Sequence, residues 1–232
     1  MRPSCDAAPM RTISKELQHL LLAVTTPLID LLAPARCGIC GREGAPLCAD
    51  CRADWIPALP QHITVPELNA AAALGPYEGG LGEAIRTLKY GGVPSLAREL
   101  GAALHPAIAL VTRRAPSAAT LVPIPTDATR IHERGFDHAL LLAESASITS
   151  GRPCAQFLVR TRATAALHDL SRAERAVALS GALAVTSERT IPPAVVLIDD
   201  TTTTGATMRE AARALRAAGS TWIAAVSVAH ER

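Results

Sequence analysis

Two rhythms of apolar residues run through the 232-residue chain. Short apolar runs bounded by Pro, Gly or polar residues predict strands at about 70–76, 120–125, 154–159, 194–199 and 221–229. Apolar recurrences at steps of three and four predict helices at about 80–90, 94–112, 134–149, 171–179 and 205–218. Strands alternating with helices imply crossover connections, and therefore an α/β fold with a mostly parallel sheet flanked by helices. Nearer the N-terminus, Leu17, Leu20, Leu21, Val24, Leu28 and Leu31 share one face of an amphipathic helix that Pro27 should kink or divide.

That helix raises the question of a membrane span or leader, and the pattern answers against both. The longest uninterrupted apolar run is Leu20 to Val24, and Glu16, Gln18, His19 and Asp30 interrupt the remainder. A bilayer needs about 20 apolar residues, so no transmembrane segment is expected. Arg36 directly before Cys37 also spoils a lipoprotein-type cleavage site, which wants a small residue there. The expected organisation is an amphipathic helix region over 1–34, a cysteine-rich module and Pro-rich linker over 35–66, and one main domain over 67–232.

Composition narrows the function classes. With 49% apolar and 19% charged residues the chain is neither disordered nor fibrous. A net charge of +2 argues against a whole-surface electrostatic grip on nucleic acid, and 3% aromatic residues supply a base-stacking platform poorly. Lys15 and Lys89 are the only lysines among 23 basic residues. Six cysteines are too few for a disulfide scaffold at this length, and four lie in two Cys-x-x-Cys pairs, which suggests metal in a reducing, cytoplasmic compartment.

Cys37-Gly-Ile-Cys40 and Cys48-Ala-Asp-Cys51 each form a tight turn in which two thiolates can point at one cation, and four sulfurs around one ion suit tetrahedral zinc. With every position filled by protein, such a site is structural rather than catalytic. A redox dithiol is the rival reading, but it needs a single pair at a helix start in a βαβ unit. Cys5 and Cys154 read as a tail residue and a strand residue.

The most informative segment is Val195-Val-Leu-Ile-Asp199-Asp200-Thr201-Thr202-Thr203-Thr204-Gly205-Ala-Thr207, followed by a helical pattern through Met208, Ala212 and Leu215. It reads as strand, loop and helix. Such a loop aims amides and hydroxyls at one point, and the helix start adds the positive end of a dipole, so a phosphate fits there. Each hydrogen bond to a charged oxygen contributes about 1.5–3 kcal/mol, so several can hold a phosphate without a lysine. The adjacent carboxylates can accept hydrogen bonds from vicinal hydroxyls or hold Mg²⁺ through water. Each part alone is common, whereas the whole combination is rare.

This segment resembles the 5-phosphoribosyl-1-pyrophosphate (PRPP) motif of type I phosphoribosyltransferases, and the chain from about 28 to 228 is similar to the ComF family of competence-related proteins. Besides the cysteines and the PRPP loop, the resemblance rests on Tyr77-Glu-Gly-Gly-Leu to Leu88-Lys89-Tyr90-Gly91, on Val122-Pro-Ile-Pro125, and on Arg130-x-x-x-Arg134-Gly-Phe-Asp-His138. It implies a type I phosphoribosyltransferase-like domain with a zinc module. It further implies ribose contacts by Asp199 and Asp200, 5′-phosphate contacts by Thr201, Thr202, Thr203, Thr204 and Gly205, and pyrophosphate contacts by the turn Pro123, Ile124, Pro125 and Thr126. Lys89 and Arg134 match the motif positions that could neutralise the diphosphate.

The sequence departs from that pattern in places. Residues 160–183 resemble the family's mobile closing loop, with Leu167 where Gln is usual and Ala178 where Asn is usual. Purine-salvage relatives carry an Asp base at the third loop position, where this chain has Thr203, so salvage of hypoxanthine or guanine is not expected. The implied reaction is displacement of pyrophosphate from Mg²⁺-bound PRPP by a nitrogen acceptor. The alternative is a non-catalytic PRPP-binding or single-stranded DNA-handling protein that works with DNA-uptake machinery. The seven arginines at 130, 134, 152, 160, 162, 172 and 175 motivate it, although five acids in the same span leave little excess.

Overall fold

The computed structural model describes residues 36–55, 59–162, 179–186 and 190–231. The amphipathic pattern of 17–32, Cys5, nearly all of the helix expected at 171–179, and Leu167 and Ala178 lie outside the described residues.

The central sheet has five strands in the order β1, β2, β7, β6, β3. They are β1 (Gln61–His62), β2 (Ala70–Pro76), β3 (Thr120–Pro123), β6 (Ala194–Thr202) and β7 (Trp222–His230). All neighbours pair in parallel except β1, which runs antiparallel to β2. Cys154 adds one parallel bridge to Leu121 beyond β3. A separate antiparallel pair, β4 (Leu158–Arg160) and β5 (Leu183–Val185), stands beside the sheet.

A buried parallel strand needs apolar residues on both faces, and β6 shows why the run Ala194–Ile198 has no polar interruption. Val196 and Ile198 pack on one side with Leu88 of α2 (Gly79–Tyr90), Leu96 and Leu100 of α3 (Pro94–Ala103), Ile108 of α4 (His105–Thr112) and Leu142 of α6 (His138–Ser150). Val195 and Leu197 pack on the other with Met208, Ala211, Ala212 and Leu215 of α7 (Ala206–Ala217) and with Phe157 and Leu183. α3 and α6 approach closely at Gly101, where a Cβ would stand 2.4 Å from the carbonyl oxygen of Leu142.

The expected helix over 94–112 is two helices that meet at Leu104, because Pro106 falls in the first turn of α4, where its missing N–H costs nothing. The helix expected from 134 starts four residues later, at His138. Ahead of it stands a short helix, α5 (Ala128–Arg134), capped by the Asp127 carboxylate on the Thr129 amide and closed by Gly135 at φ 80°. β6 also runs past its expected end at 199, pairing Thr201 with Ala229 and Thr202 with His230.

The cysteine segment leads into α1 (Ala49–Trp55) and is docked on the main body. Cys37 and Leu47 are buried in the same apolar cluster as Leu88 and Leu96. Burial of Leu47 alone stabilises this docking by roughly 2 kcal/mol. Arg52 pairs with Glu99 of α3 at the edge of the contact.

Candidate functional site

The carboxyl ends of parallel strands are where an open α/β sheet leaves a crevice, and here the crevice lies beyond β3 and β6. A cavity of about 300 Å³ is lined by Tyr77, Lys89, Tyr90, Arg130, Asp199, Asp200, the run Thr201–Thr204, Gly205 and Thr207. A smaller one of about 130 Å³ adjoins it, lined by Lys89, Ile124, Pro125, Thr126, Arg130, Arg134, His138, Arg160, Asp199 and Asp200. The structure thus brings together the acidic pair, the threonine loop, the turn after β3 and both proposed cations. Pro123 is the exception: it is buried within β3 and borders neither cavity.

Successive strand residues face opposite ways, and this divides the acidic pair. Asp200 turns with Val196 and Ile198 toward α2 and α6 and is only 4% exposed. Its Oδ1 lies 3.2 Å from Lys89 Nζ, and its Oδ2 lies 2.8 Å from His138 Nε2. The latter contact is off the line of a hydrogen bond, so Oδ2 is buried without a hydrogen-bond donor among the described residues. Asp199 keeps partial exposure, and its Oδ1 accepts a hydrogen bond from the Asp200 amide at 2.8 Å.

The two carboxyls are driven apart in proton affinity. Burial, and then the Asp200 charge, pushes Asp199 up to about 7. Burial would raise Asp200 too, but Lys89 and His138 overwhelm it and hold Asp200 far below the usual carboxylate range. Burial opposes the charge on Lys89, yet Asp200 and Asp199 raise its pKa, so it remains an ammonium.

His138 was part of a motif block without a role, and it proves central to the charge network. Arg134 Nη1 stands 3.0 Å from His138 Nδ1. A guanidinium can only donate, so Nδ1 accepts and the ring proton sits on Nε2, on the Asp200 side of the ring but not in line with Oδ2. Thr126 donates to Asp137 at 2.8 Å, and Asp137 caps α6 through the amides of Ala139 and Leu140. Arg160 of β4 reaches the carbonyl of Pro125 at 2.7 Å.

The threonine loop is shorter than the sequence suggested, because β6 absorbs its first two residues. Thr202 turns its hydroxyl inward to Ser227 at 2.9 Å, and Thr201 accepts from Lys89 at 3.3 Å. The turn itself is Thr203, Thr204 and Gly205. Gly205 has φ 70° and provides no side-chain cap, so the first amides of α7 face the cavity apart from a 3.4 Å contact of Ala206 N with the Thr204 hydroxyl. A Cβ on Gly205 would stand 2.8 Å from Val65, so both conformation and space exclude a larger residue.

Away from the crevice, the sulfurs of Cys37, Cys40, Cys48 and Cys51 lie within 4.8 Å of one another. Cys40 Sγ and Cys48 Sγ are 3.7 Å apart, the separation expected of two ligands about 2.3 Å from one tetrahedral zinc. Burial works against the Cys37 thiolate, yet amides of Cys40, Cys48 and Ile39 bring that thiol down to about 6. Burial and hydrogen bonding with the other three thiols push Cys51 up to about 12. The four thiols can hold one zinc ion as a structural site. Cys154 stands apart, half-buried at the sheet edge.

No family model and no curated protein matches the chain. Among solved structures it is similar to glutamine PRPP amidotransferase from B. subtilis complexed with ADP and GMP, at 22% identity over 58% of this chain and 26% of that one, with a TM-score of 0.38. It is also similar to a structure of the allosteric regulatory enzyme of purine biosynthesis, at 21% identity with the same coverage and TM-score. The chain spans about a quarter of the length of each. Among the described residues no helix is long and apolar enough to cross a membrane.

Proposed function

We propose that the chain binds Mg²⁺-PRPP at the carboxyl end of β6 and acts as a phosphoribosyltransferase of the ComF type, with a nitrogen compound as acceptor. The observation that carries this reading is the meeting of Asp199 and Asp200, the turn Thr203–Gly205 and the cations Lys89 and Arg130 around two adjoining cavities at the end of β6. Asp200 borders both cavities, and its carboxylate would accept a hydrogen bond from one ribose hydroxyl. Asp199 would take the neighbouring hydroxyl. The turn Thr203 to Gly205, with the first amides of α7, would hold the 5′-phosphate.

The smaller cavity suits the diphosphate. Lys89, Arg130, Arg134 and Arg160 converge there on the turn Ile124–Thr126. In the reaction, the C1–O bond to the diphosphate breaks with both electrons leaving on oxygen. A C1–N bond forms, and the proton lost by the acceptor nitrogen passes to the departing pyrophosphate. The cations stabilise the charge that develops on the leaving group.

The residues also fit a magnesium ion. Asp199 and Asp200 offer hard oxygen ligands, whereas His138, with its proton on Nε2, is unsuited to bind a cation through that atom. Held by the two carboxylates through water, the ion would neutralise diphosphate charge. The DNA-handling alternative draws less support. Of its arginines, Arg172 and Arg175 lie outside the described residues; among the described ones, Arg130, Arg134 and Arg160 border the diphosphate cavity, Arg152 is bonded to Thr112 and Arg162 to the Ser180 carbonyl, so these five form no free basic stripe.

Calorimetric titration with Mg²⁺-PRPP tests the proposal. Micromolar-range binding that is lost in Asp199→Asn is the expected result. Absence of heat change with the wild-type chain, together with no pyrophosphate released in the presence of any nitrogenous acceptor, would refute it.

A further inference from the structure

Glu210 of α7 is the only buried glutamate among the described residues, 7% exposed, and it takes no part in the donor chemistry. A buried carboxylate is costly unless it is paired and hydrogen-bonded. Here Oε1 accepts from the Gly181 amide at 2.8 Å and from Arg213 Nη2 at 2.7 Å, and Oε2 accepts from Arg213 Nε at 2.8 Å. Hydrogen bonding by Arg213 holds the carboxyl below its usual range against burial, which would raise it, and the Gly181 amide adds to the effect. The Arg213 side chain is largely exposed, so the ion pair contributes little by itself. What the carboxylate fixes is the backbone at Gly181.

Gly181 belongs to a short segment laid along the start of α7. Ala206 and Glu210, four residues apart, share one face of that helix. Leu179 and Ala182 pack with Ala206 in a small cluster of their own, so Glu210 pins the segment one turn beyond the point where Leu179 meets the helix start. Leu179, 2% exposed, also lines the main cavity beside the turn Thr203–Gly205. From the opposite side, Thr161 donates to the carbonyls of Gly181 at 2.7 Å and Ala182 at 3.0 Å, and Arg162 donates to that of Ser180 at 2.8 Å. Arg160, the neighbouring residue, reaches the carbonyl of Pro125. The β4–β5 pair is thereby tied to α7 through Glu210 and to the turn Ile124–Thr126 through Arg160.

We infer that Glu210 is a positioning residue for the anion end of the crevice. By holding the Gly181 amide it seats Leu179 as an apolar wall against the first turn of α7, and the β4–β5 pair then braces the turn Thr203–Gly205 against the turn Ile124–Thr126. Keeping water from one side of an anion site strengthens each hydrogen bond that its amides make. The inference rests on the phosphoribosyltransferase reading for the identity of the anion, whereas the brace is a property of the ligand-free chain.

The test compares full-length wild type with Glu210→Leu, which fills the space but accepts nothing, and with Glu210→Gln, which keeps an oxygen for the Gly181 amide. Amide hydrogen exchange without ligand should be about 10- to 150-fold faster at Gly181 in Glu210→Leu, the factor for losing one hydrogen bond to a charged group. Exchange over 203–206 should quicken with it, and Glu210→Gln should match wild type. In calorimetry, Mg²⁺-PRPP should bind Glu210→Leu about 2- to 30-fold more weakly, the usual reach of a residue that does not touch the ligand, with Glu210→Gln again restored. Leu179→Ala shortens the wall with Glu210 intact and should weaken Mg²⁺-PRPP in the same way, which decides the matter even if Glu210→Leu does not fold. Exchange over 203–206 that ignores the loss of Glu210, a Gln variant as impaired as the Leu variant, or full affinity in Leu179→Ala overturns the brace. Wild-type binding of Mg²⁺-PRPP with equal affinity in every variant sinks the brace alone. The expected exchange pattern in a wild type that binds no Mg²⁺-PRPP upholds the brace and sinks the donor reading alone.

Discussion

The cysteine module and the end of β6 solve the same problem with opposite results. Each crowds groups that repel one another when ionised, and in each the proton affinities split: Cys37 falls to about 6 while Cys51 rises to about 12, and Asp200 falls while Asp199 rises to about 7. In the module every ligand comes from the chain, so one ion closes the site. At the strand end the chain supplies the Lys89 ammonium and the His138 ring beside Asp200, while Asp199 keeps partial exposure and borders the cavity. The difference separates architecture from chemistry. A site whose ligands all come from its own chain stabilises, whereas one that opens on a cavity has room for a ligand.

Disrupting the module should have the larger effect on stability. Cys37→Ser, or a strong chelator, is expected to remove the metal and lower stability by roughly 5 kcal/mol or more, read by thermal melts alongside metal analysis. A wild-type chain that carries no zinc and melts identically with chelator would end the comparison. Asp200→Ala comes next, at about 3–5 kcal/mol, because it leaves Lys89 and His138 facing each other with no carboxylate between them. Its metal content should be unchanged.

Gly205→Ala is expected to cost about 1–3 kcal/mol through the φ of 70° and the contact with Val65, and to abolish Mg²⁺-PRPP binding by shifting the turn. Retained affinity would place the phosphate elsewhere.

The smallest effect is a stabilisation, and its sign follows from linkage. Asp199 holds its proton to about pH 7 in the folded chain but loses it near pH 4 when unfolded, so wild-type stability falls as pH rises between those values. Asp199→Asn removes that dependence. Its advantage should be absent below about pH 4, grow up to about pH 7, and remain constant above. Asp200 acts in the opposite sense, losing its stabilisation as pH falls below the ordinary carboxylate range. Denaturant titrations across pH would detect a flat difference, which would contradict the split.

Four of the sheet's five strands were legible because each buries a continuous apolar run, β2 at 70–76 to the residue, whereas β1, two exposed polar residues, carries no such signal. α5 was not, because it buries no side chain and so carries no periodic signal; only Asp127 and Gly135, cap residues at its two ends, marked it. β5, at three residues, is too short for alternation to show, and the single strand expected at 154–159 divides into the Cys154 bridge to Leu121 and β4 at Leu158–Arg160. In the site, the acids, the threonines and Lys89 could be read because one motif holds each set. The pairing of His138 with Asp200 could not, since 62 residues separate them and only the packing of α6 on β6 joins them. The inward turn of Thr202 escaped for the same reason, its partner Ser227 lying on β7.

The burial of Cys37 and Leu47 against α2 and α3 bears on how the chain can be divided. A fragment beginning near residue 60 would inherit an oily scar over Leu88, on the helix that delivers Lys89, and over Leu96 of α3. Such a fragment should self-associate in a sizing column, and the cure would be to leave the cysteines attached rather than to add detergent.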